Sequence, residues 1–525
     1  MHRKHIVVHR LVQPIFSAAI VLAVSATPLL GQTGASTKLP PALLIRGGQV
    51  IDGTGSAARK ADVRVSGGVI TEIAPNLTSH PGERVIDATN LTVTPGFIDL
   101  HSHADRGIQR MLSAESQVRQ GITTAVVGQD GGSELPVSDF LEEMDHLHPA
   151  INFVSMIGHG SVRAAVMGGD FHRAATPAEI TAMKVLVDRG MRDGAVGLSS
   201  GTEYDPGFFS TPEEVQALAR VVVPYGGYYA SHVRDEENGV LAAWNEVLDV
   251  GRKTGVRVHI SHAKLASKPV WGKAAEGLAL LDNAAHAGVK VTADWYPYTY
   301  WSSSMYVLIP DRNFDNRKEW EVGLDEIGGP DNVLVTDYEP DSTYNGKTVT
   351  EIAQSIGKDP ITTIIGMLHA AGPNIGVIVT AMQEKDLDKL VADPRVSICS
   401  DGGLAGAHPR GYGTFPRVLG VYVREKGILT LPQAVAKMTS HTAQILGFSD
   451  RGTLAAGKKA DIVLIDPATV VDRGTKLKPA QNPVGIPYVI VNGEVVLDNG
   501  EMTASRPGLA LRRQNWKPYA AATIH

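Results

Sequence analysis

Residues 95 to 105 read Pro-Gly-Phe-Ile-Asp-Leu-His-Ser-His-Ala-Asp, which sets two imidazoles, His101 and His103, at the end of a short apolar stretch after a Pro-Gly turn. Side chains two apart on a strand share a face, so the pair can put two nitrogens on one cation without bending the backbone. Spacing alone does not specify a metal, but two further histidines close later apolar stretches: His232 ends YYASHV and His262 ends VRVHISH. Four imidazoles from three strand ends can hold one or two divalent metals, zinc first and other metals admitted. Asp401 closes the stretch VSICSD. A carboxylate facing a metal-bound water can take its proton and later give it to a leaving nitrogen, as amide hydrolysis requires. The remaining histidines, among them His159, His259, His286, His369, His408 and His441, read as ordinary core or surface residues. His259 precedes His262 by three positions and is expected on the opposite face of the strand.

These groups need a scaffold that brings distant strand ends together. Between residues 96 and 450 eight candidate strands recur: FIDLHSH, TTAVVG, NFVSMIG, AVGLSS, YYASHV, VRVHISH, VKVTADW and VSICSD. Several are near-continuous Val/Ile/Ala runs, as parallel strands buried on both faces require. Helix signals separate them. Thr211-Pro212-Glu213-Glu214 reads as a capping box with proline at the first helical position, and Thr176-Pro177 opens a similar helix. The pattern predicts an α/β fold, a (β/α)8 TIM-type barrel whose active site lies at the C-terminal strand ends. The stretch 299–345, rich in Tyr, Trp, Asp and Pro, is too long for a simple loop and is expected to form an insert over the barrel mouth. Residues 40–95 and 451–515 both alternate short β-rich pieces with glycine turns, including a hairpin at Asn492-Gly493. They are expected to join as a small β-sandwich built from both chain ends.

Composition narrows the function class. With 525 residues, 43% hydrophobic and 6% aromatic, the chain fits a large α/β enzyme, and a net charge of −6 with no basic run beyond the N-terminus argues against nucleic acid as a partner. The first 32 residues carry Arg3, Lys4 and Arg10, no acid, and an apolar run from Leu11 to Leu30, which reads as a secretory signal peptide. Periplasmic or secreted localisation follows, with no stable membrane association once the signal is removed. Cys399 is the single cysteine, so no intrachain disulfide can form.

Taken in order, PGFIDLHSHAD, GITTAVVGQDG, GLSSGTEYDPG, SHVRDE, ISHAK, DWYPY, SDGG, HPRGYGTFPRVLG, KMTSHTAQILG, ADIVLIDP and VNGEVV resemble the N-acyl-D-amino-acid deacylases (D-aminoacylases) of the amidohydrolase superfamily. The resemblance spans roughly residues 42 to 512. It implies a barrel plus β-sandwich, a small-molecule substrate with a free carboxylate, and hydrolysis of a linear amide by a metal-bound hydroxide. It also implies His232 and His262 at the tighter zinc position, His101 and His103 at a weaker one, and Asp401 as proton shuttle. Tyr204, Lys264, Tyr296, Ser302 and Arg410 would surround the substrate, with Lys264 and Arg410 on its carboxylate, for which arginine offers a bidentate fork.

One departure stands out. Where the family carries cysteine in a Gly-Asn-Cys-Gly context, this chain has Gly128-Gln129-Asp130-Gly131. Asp130 is either a metal ligand, harder than thiolate and more open to other metals, or a turn residue, in which case Glu203 is the nearest spare carboxylate. Cys399 precedes Asp401 on the same strand and reads as a small buried residue, not a replacement thiol. Two other readings compete: a cyclic amide hydrolase related to hydantoinase or dihydroorotase, whose carboxylated strand-end lysine has no counterpart in AVGLSS or TTAVVG, and a non-catalytic barrel serving as a binding module.

Overall fold

The computed structural model describes residues 42–309 and 312–517. The expected signal peptide, residues 1–32, lies outside them.

All eight stretches read as strands contain one. Six pair in parallel in the order Val396–Ile398, Val291–Trp295, Arg257–Ile260, Tyr228–His232, Gly197–Gly201 and Ile157–Gly158. A second parallel sheet runs Ala510–Leu511, Asn152–Ser155, Ile122–Val127, Phe97–Asp99. The chain passes from this sheet to the first at Met156, between Asn152–Ser155 and Ile157–Gly158. At the other edge Ser102 and Gly402 form a parallel bridge, with Asp401 N–H donating to His101 O and His103 N–H to Gly402 O, both at 2.9 Å. The first and last of the eight strands are thus tied together directly beside the residues of interest. Burial explains the composition: every residue of Ile122–Val127 is buried, so strand propensity and apolar packing act on both faces.

Helices follow most strands, with signals that were legible locally. Thr176 caps Pro177–Asp193 in a full capping box with Glu179. At Thr211 only half of the expected box forms. Its side chain accepts from Glu214 N–H at 3.2 Å, but the Glu214 carboxylate turns inward to His159 and Arg163, each of which donates to it. A buried arginine outcompetes a backbone N–H for a carboxylate because the charge-assisted pair is stronger.

Both chain ends meet in one nine-stranded sheet. The C-terminal hairpin Tyr488–Val491 and Glu494–Asp498 pairs with Ile462–Ile465, which pairs with Thr92–Pro95 from the N-terminal half. Asn492 and Gly493 both have positive φ, 47° and 87°, as a type I′ turn demands. The chain then continues to Ala510–Leu511, which joins the second parallel sheet beside Asn152–Ser155, a pairing that no periodicity announced. The segment expected as an insert at 299–345 carries Tyr300–Ser304 and Val333–Asp337. These strands flank Gly376–Thr380 in a three-stranded antiparallel sheet, so the folded unit extends past residue 345.

Candidate metal centre

His101, Asp130, His262 and Asp401 each present a ligand atom within 4.8 Å of the others, and His232, Glu236 and His262 form a second such group. His262 belongs to both, so the two pairs of histidines are not separate sites but a continuous cluster. Asp130 sits at its centre. Its Oδ1 lies 3.3 Å from His101 Nε2, 3.4 Å from His262 Nε2 and 4.0 Å from His232 Nδ1, and its Oδ2 lies 3.2 Å from His103 Nε2. His232 Nδ1 and His262 Nε2 are 3.1 Å apart. Asp401 Oδ1 faces His103 at 3.4 Å and His101 at 3.7 Å, while its Oδ2 forms an ion pair with Arg410 at 2.7 Å.

The alternatives for Asp130 turn out to be compatible. The residue does occupy a turn, with φ of 52°, between Gly128 and Gly131, whose own φ values are 76° and 77°. A Cβ at Gly128 would fall 2.5 Å from Met156 O, so the tight passage needs glycine. The same turn aims the carboxylate into the histidines. His262 (φ 34°) and Asp401 (φ 50°) also have left-handed backbone, each costing about 1–3 kcal/mol unless the surroundings over-determine it. The surroundings do so. Asp294 accepts from His262 N–H, Asp99 accepts from Ser400 N–H at 2.8 Å and from the Ser400 hydroxyl, and Gln129 donates to Leu100 O at 2.9 Å.

Electrostatics fit a cation. Both ring nitrogens of His101 and Oδ1 of Asp130 are buried without a hydrogen-bond partner, which a fully satisfied core would not tolerate. Burial opposes a charge on Asp130, yet His101, His103 and His262 outweigh it and hold the carboxyl well below the usual range. Burial likewise opposes ionisation of Asp401, and Arg410 and His262 overcome it in the same direction. On His262, burial and Lys264 disfavour the imidazolium, but Asp401, Glu236 and Asp130 win and push it up to about 10. Carboxylates here exceed the available positive charge, and the nearest imidazole is drawn to supply the deficit. His232 goes the other way: burial lowers it to about 4, leaving the neutral ring a metal requires. Its Nε2 lies 2.7 Å from Glu203, the arrangement in which a carboxylate fixes the tautomer and turns the other nitrogen toward a metal.

The remaining residues named from the sequence divide. Tyr204, Lys264, Ser302, Asp401 and Arg410 line one cavity of about 530 Å³ together with His103, Asp130 and His232. Tyr296 does not line it. The ring is 2% exposed and lies beneath the two cations, 5.6 Å from Lys264 Nζ and 5.0 Å from the Arg410 guanidinium. Neither cation is free: Lys264 donates to Glu236 at 2.6 and 2.7 Å and lies 2.8 Å from His262 Nδ1, as Arg410 holds Asp401. Glu203 stands against the outer nitrogen of His232 and belongs to neither ligand group. Cys399 is buried. His259 is excluded from the cluster, with Nδ1 2.8 Å from Thr292 Oγ1 and Nε2 2.9 Å from Asp294. Sequence reasoning missed Glu236, although it ends the motif SHVRDE, and Asp294, which sits inside VKVTADW with no spacing to mark it.

Comparison with known proteins agrees with this geometry. A model of the amidohydrolase family matches residues 84–300 and 346–497. The N-acyl-D-glutamate deacylase of Alcaligenes xylosoxydans xylosoxydans is 37% identical over 497 residues, covering 90% of this chain and 96% of that protein. The D-aminoacylase of the same organism is 35% identical, covering 91% and 99%. The crystal structure of N-acyl-D-glutamate deacylase from Bordetella bronchiseptica, complexed with zinc and a phosphonate mimic of the tetrahedral intermediate, superposes with a TM-score of 0.82 at 36% identity, covering 90% and 100%. The chain belongs to the amidohydrolase family, as a hydrolase of its N-acyl-D-amino-acid deacylase (D-aminoacylase) branch.

Proposed function

We propose that the protein deacylates N-acyl-D-amino acids, cleaving a linear amide with the help of bound zinc. The observation that carries the reading is the meeting of four histidines, Asp130 and Asp401 in one cluster beside a cavity that two cationic side chains line. His101, His103, His232, His262 and Asp130 would hold the metal. When bound, zinc polarises a carbonyl and acidifies water.

The chain's own residues supply the rest. Asp401 directs Oδ1 into the cluster and has Oδ2 tied to Arg410, so one oxygen is fixed while the other takes a proton from water and returns it to the departing amine nitrogen. Arg410 and Lys264 orient the substrate's free carboxylate, with Ser302 and Tyr204 on the cavity wall. Glu203 orients the His232 ring through Nε2, while burial keeps that ring neutral, and Glu236 holds Lys264. Tyr296 supports both cations from below through its ring face.

The wider organisation is read in the same way. The bridge between Ser102 and Gly402 and the continuity at Met156 support closure of the eight strands into a (β/α)8 barrel over 96–450, with the insert near 299–345 at its mouth. Residues 40–95 and 451–515 would form the small β-sandwich domain. The signal-like N-terminus supports export to the periplasm or medium, and the partner is a small molecule, not nucleic acid or membrane.

The test is amine release by the zinc-loaded protein from paired N-acetyl-D and N-acetyl-L amino acids. Turnover of D compounds with little of the L series is expected. Absence of turnover across the D series, with metal demonstrably bound, would reject the assignment.

A further inference from the structure

The turn 128–131 leaves the strand Ile122–Val127, yet it is fastened from Gly197–Gly201, a strand of the other parallel sheet. Ser199 Oγ donates to Gly128 O at 2.5 Å and accepts from Gly131 N–H at 3.2 Å, so one hydroxyl grips the chain both before and after Asp130. Ser199 is 1% exposed, and neither bond can be exchanged freely for one to water. Two glycines clear the space. A Cβ at Gly158 would fall 2.4 Å from Gly131 O, and one at Gly201 would fall 2.4 Å from Asp130 O. Gly158 is the residue paired with Ser199, so the bare backbone there lets the turn settle against the serine. On the other side the Gln129 amide donates to Leu100 O at 2.9 Å and to Val126 O at 3.3 Å. Ser199 itself belongs to neither group of metal-facing residues.

We infer that Ser199 is a positioning residue for the metal centre: its hydroxyl sets the turn that aims the Asp130 carboxylate, and through that carboxylate it sets the zinc affinity. The inference rests on the reading of Asp130 as a metal ligand and adds what holds that ligand in place. The turn cannot hold itself. Asp130 has a φ of 52° and stands in Gly128-Gln129-Asp130-Gly131-Gly132, where glycine on both sides leaves the backbone free to relax. Its aim is nevertheless demanding, because Oδ1 must face His101, His262 and His232 while Oδ2 faces His103. Zinc–carboxylate bonds lie within a narrow range of about 2.0–2.2 Å. A tilt of the turn therefore spoils several of these contacts at once, and a site held loosely binds its metal less well.

The experiment measures zinc affinity by competition with a chelator in the native chain, Ser199→Ala, Asp130→Ala and the double variant, with urea unfolding of each metal-free protein alongside. Ser155→Ala is the control, since it removes another buried serine hydroxyl, one that donates to Met156 O at 3.0 Å. Ser199→Ala is expected to weaken zinc by about 10-fold, and Asp130→Ala by more. In the Asp130→Ala background Ser199→Ala should have no further effect, because the carboxylate it positions is gone. Ser155→Ala should bind as the native chain does. Gly201→Ala pushes on the turn from the Asp130 side with Ser199 intact, and it should weaken zinc as well. Native affinity in a folded Ser199→Ala would overturn the inference, as would an equal loss with and without Asp130 or an equal loss in Ser155→Ala. If Ser199→Ala does not fold, Gly201→Ala decides, and native affinity there overturns the inference too. Native affinity in Asp130→Ala would instead remove the ligand reading on which it stands.

Discussion

Two polar layers lie one above the other at the strand ends, made of the same residue types, and they differ in whether their hydrogen bonds close. In the lower layer His259 has a partner on each nitrogen, Thr292 and Asp294, and Asp99 accepts twice from Ser400. In the upper layer His101 has no partner on either nitrogen and Asp130 Oδ1 has none. Buried polar groups without partners are rare in native proteins, so the upper layer is arranged for something that is not protein. Residue type alone would not have separated them. Histidine and aspartate occur in both, and His101, His262 and Asp401 above are buried like His259, Asp294 and Asp99 below.

The layers are also mechanically linked, because the lower one holds the backbone of the upper. Asp294 spans the two, facing His259 with one oxygen and accepting from His262 N–H with the other. Asp99 fixes Ser400, the residue before Asp401. Both His262 and Asp401 have left-handed backbone, and strain of this kind persists at sites where positioning matters more than local comfort. The contrast predicts that upper-layer substitutions cost function with little loss of stability, and that lower-layer ones do the reverse.

The largest functional effect is expected at Asp401→Asn. The amide preserves the size and can still accept from Arg410, but it cannot carry the proton. Turnover should fall by about 10²- to 10⁴-fold, with bound metal measured by elemental analysis unchanged. An active variant would dismiss Asp401 as the shuttle. At the linking residue, Asp294→Ala leaves His259 and the His262 N–H each without an acceptor, at about 1–3 kcal/mol apiece. Urea unfolding should show that loss together with weakened metal binding. Stability loss with native metal affinity would mean the two layers are not coupled.

Glu203→Ala should weaken zinc by about 10- to 100-fold in competition with a chelator, since His232 loses the carboxylate that orients it. Glu203→Gln should recover most of this, because the side-chain carbonyl can still accept from Nε2–H. If the glutamine variant is as weak as the alanine one, Glu203 acts as a ligand and not through His232.

The same contrast explains what the sequence could and could not reveal. His101, His103, His232 and His262 were legible because each closes an apolar run, and strand ends in such a fold face one region. Asp401 was legible for the same reason. Asp294 was not, because it lies within a strand whose other residues are apolar or aromatic, and only the pairing of Arg257–Ile260 with Val291–Trp295 brings it under His262. His259 was expected to diverge from His262 by strand alternation, but the strand ends at Ile260 and the left-handed turn at His262 redirects that ring. Glu203 was weighed as a ligand because loop carboxylates near a metal are candidates, and nothing in GTEYDP says which nitrogen of His232 it would meet. The fold's parallel strands were visible as hydrophobic runs, whereas the return of Ala510–Leu511 to Asn152–Ser155 depends on a contact some 350 residues apart in sequence that no local pattern encodes.

The smallest effect, and the sharpest test of the division, belongs to Thr292→Val. Thr292 meets His259 Nδ1 at 2.8 Å and touches no residue of the upper cluster through its hydroxyl. Valine keeps the branched shape that suits the strand, so packing is preserved and only the hydrogen bond is lost, at a cost of about 1 kcal/mol. The urea midpoint should shift accordingly while zinc stoichiometry and kcat stay at native values. A change in metal content or turnover here would mean that strain in the lower layer reaches the cluster through His259 itself, because Asp294 would still be holding His262 in place.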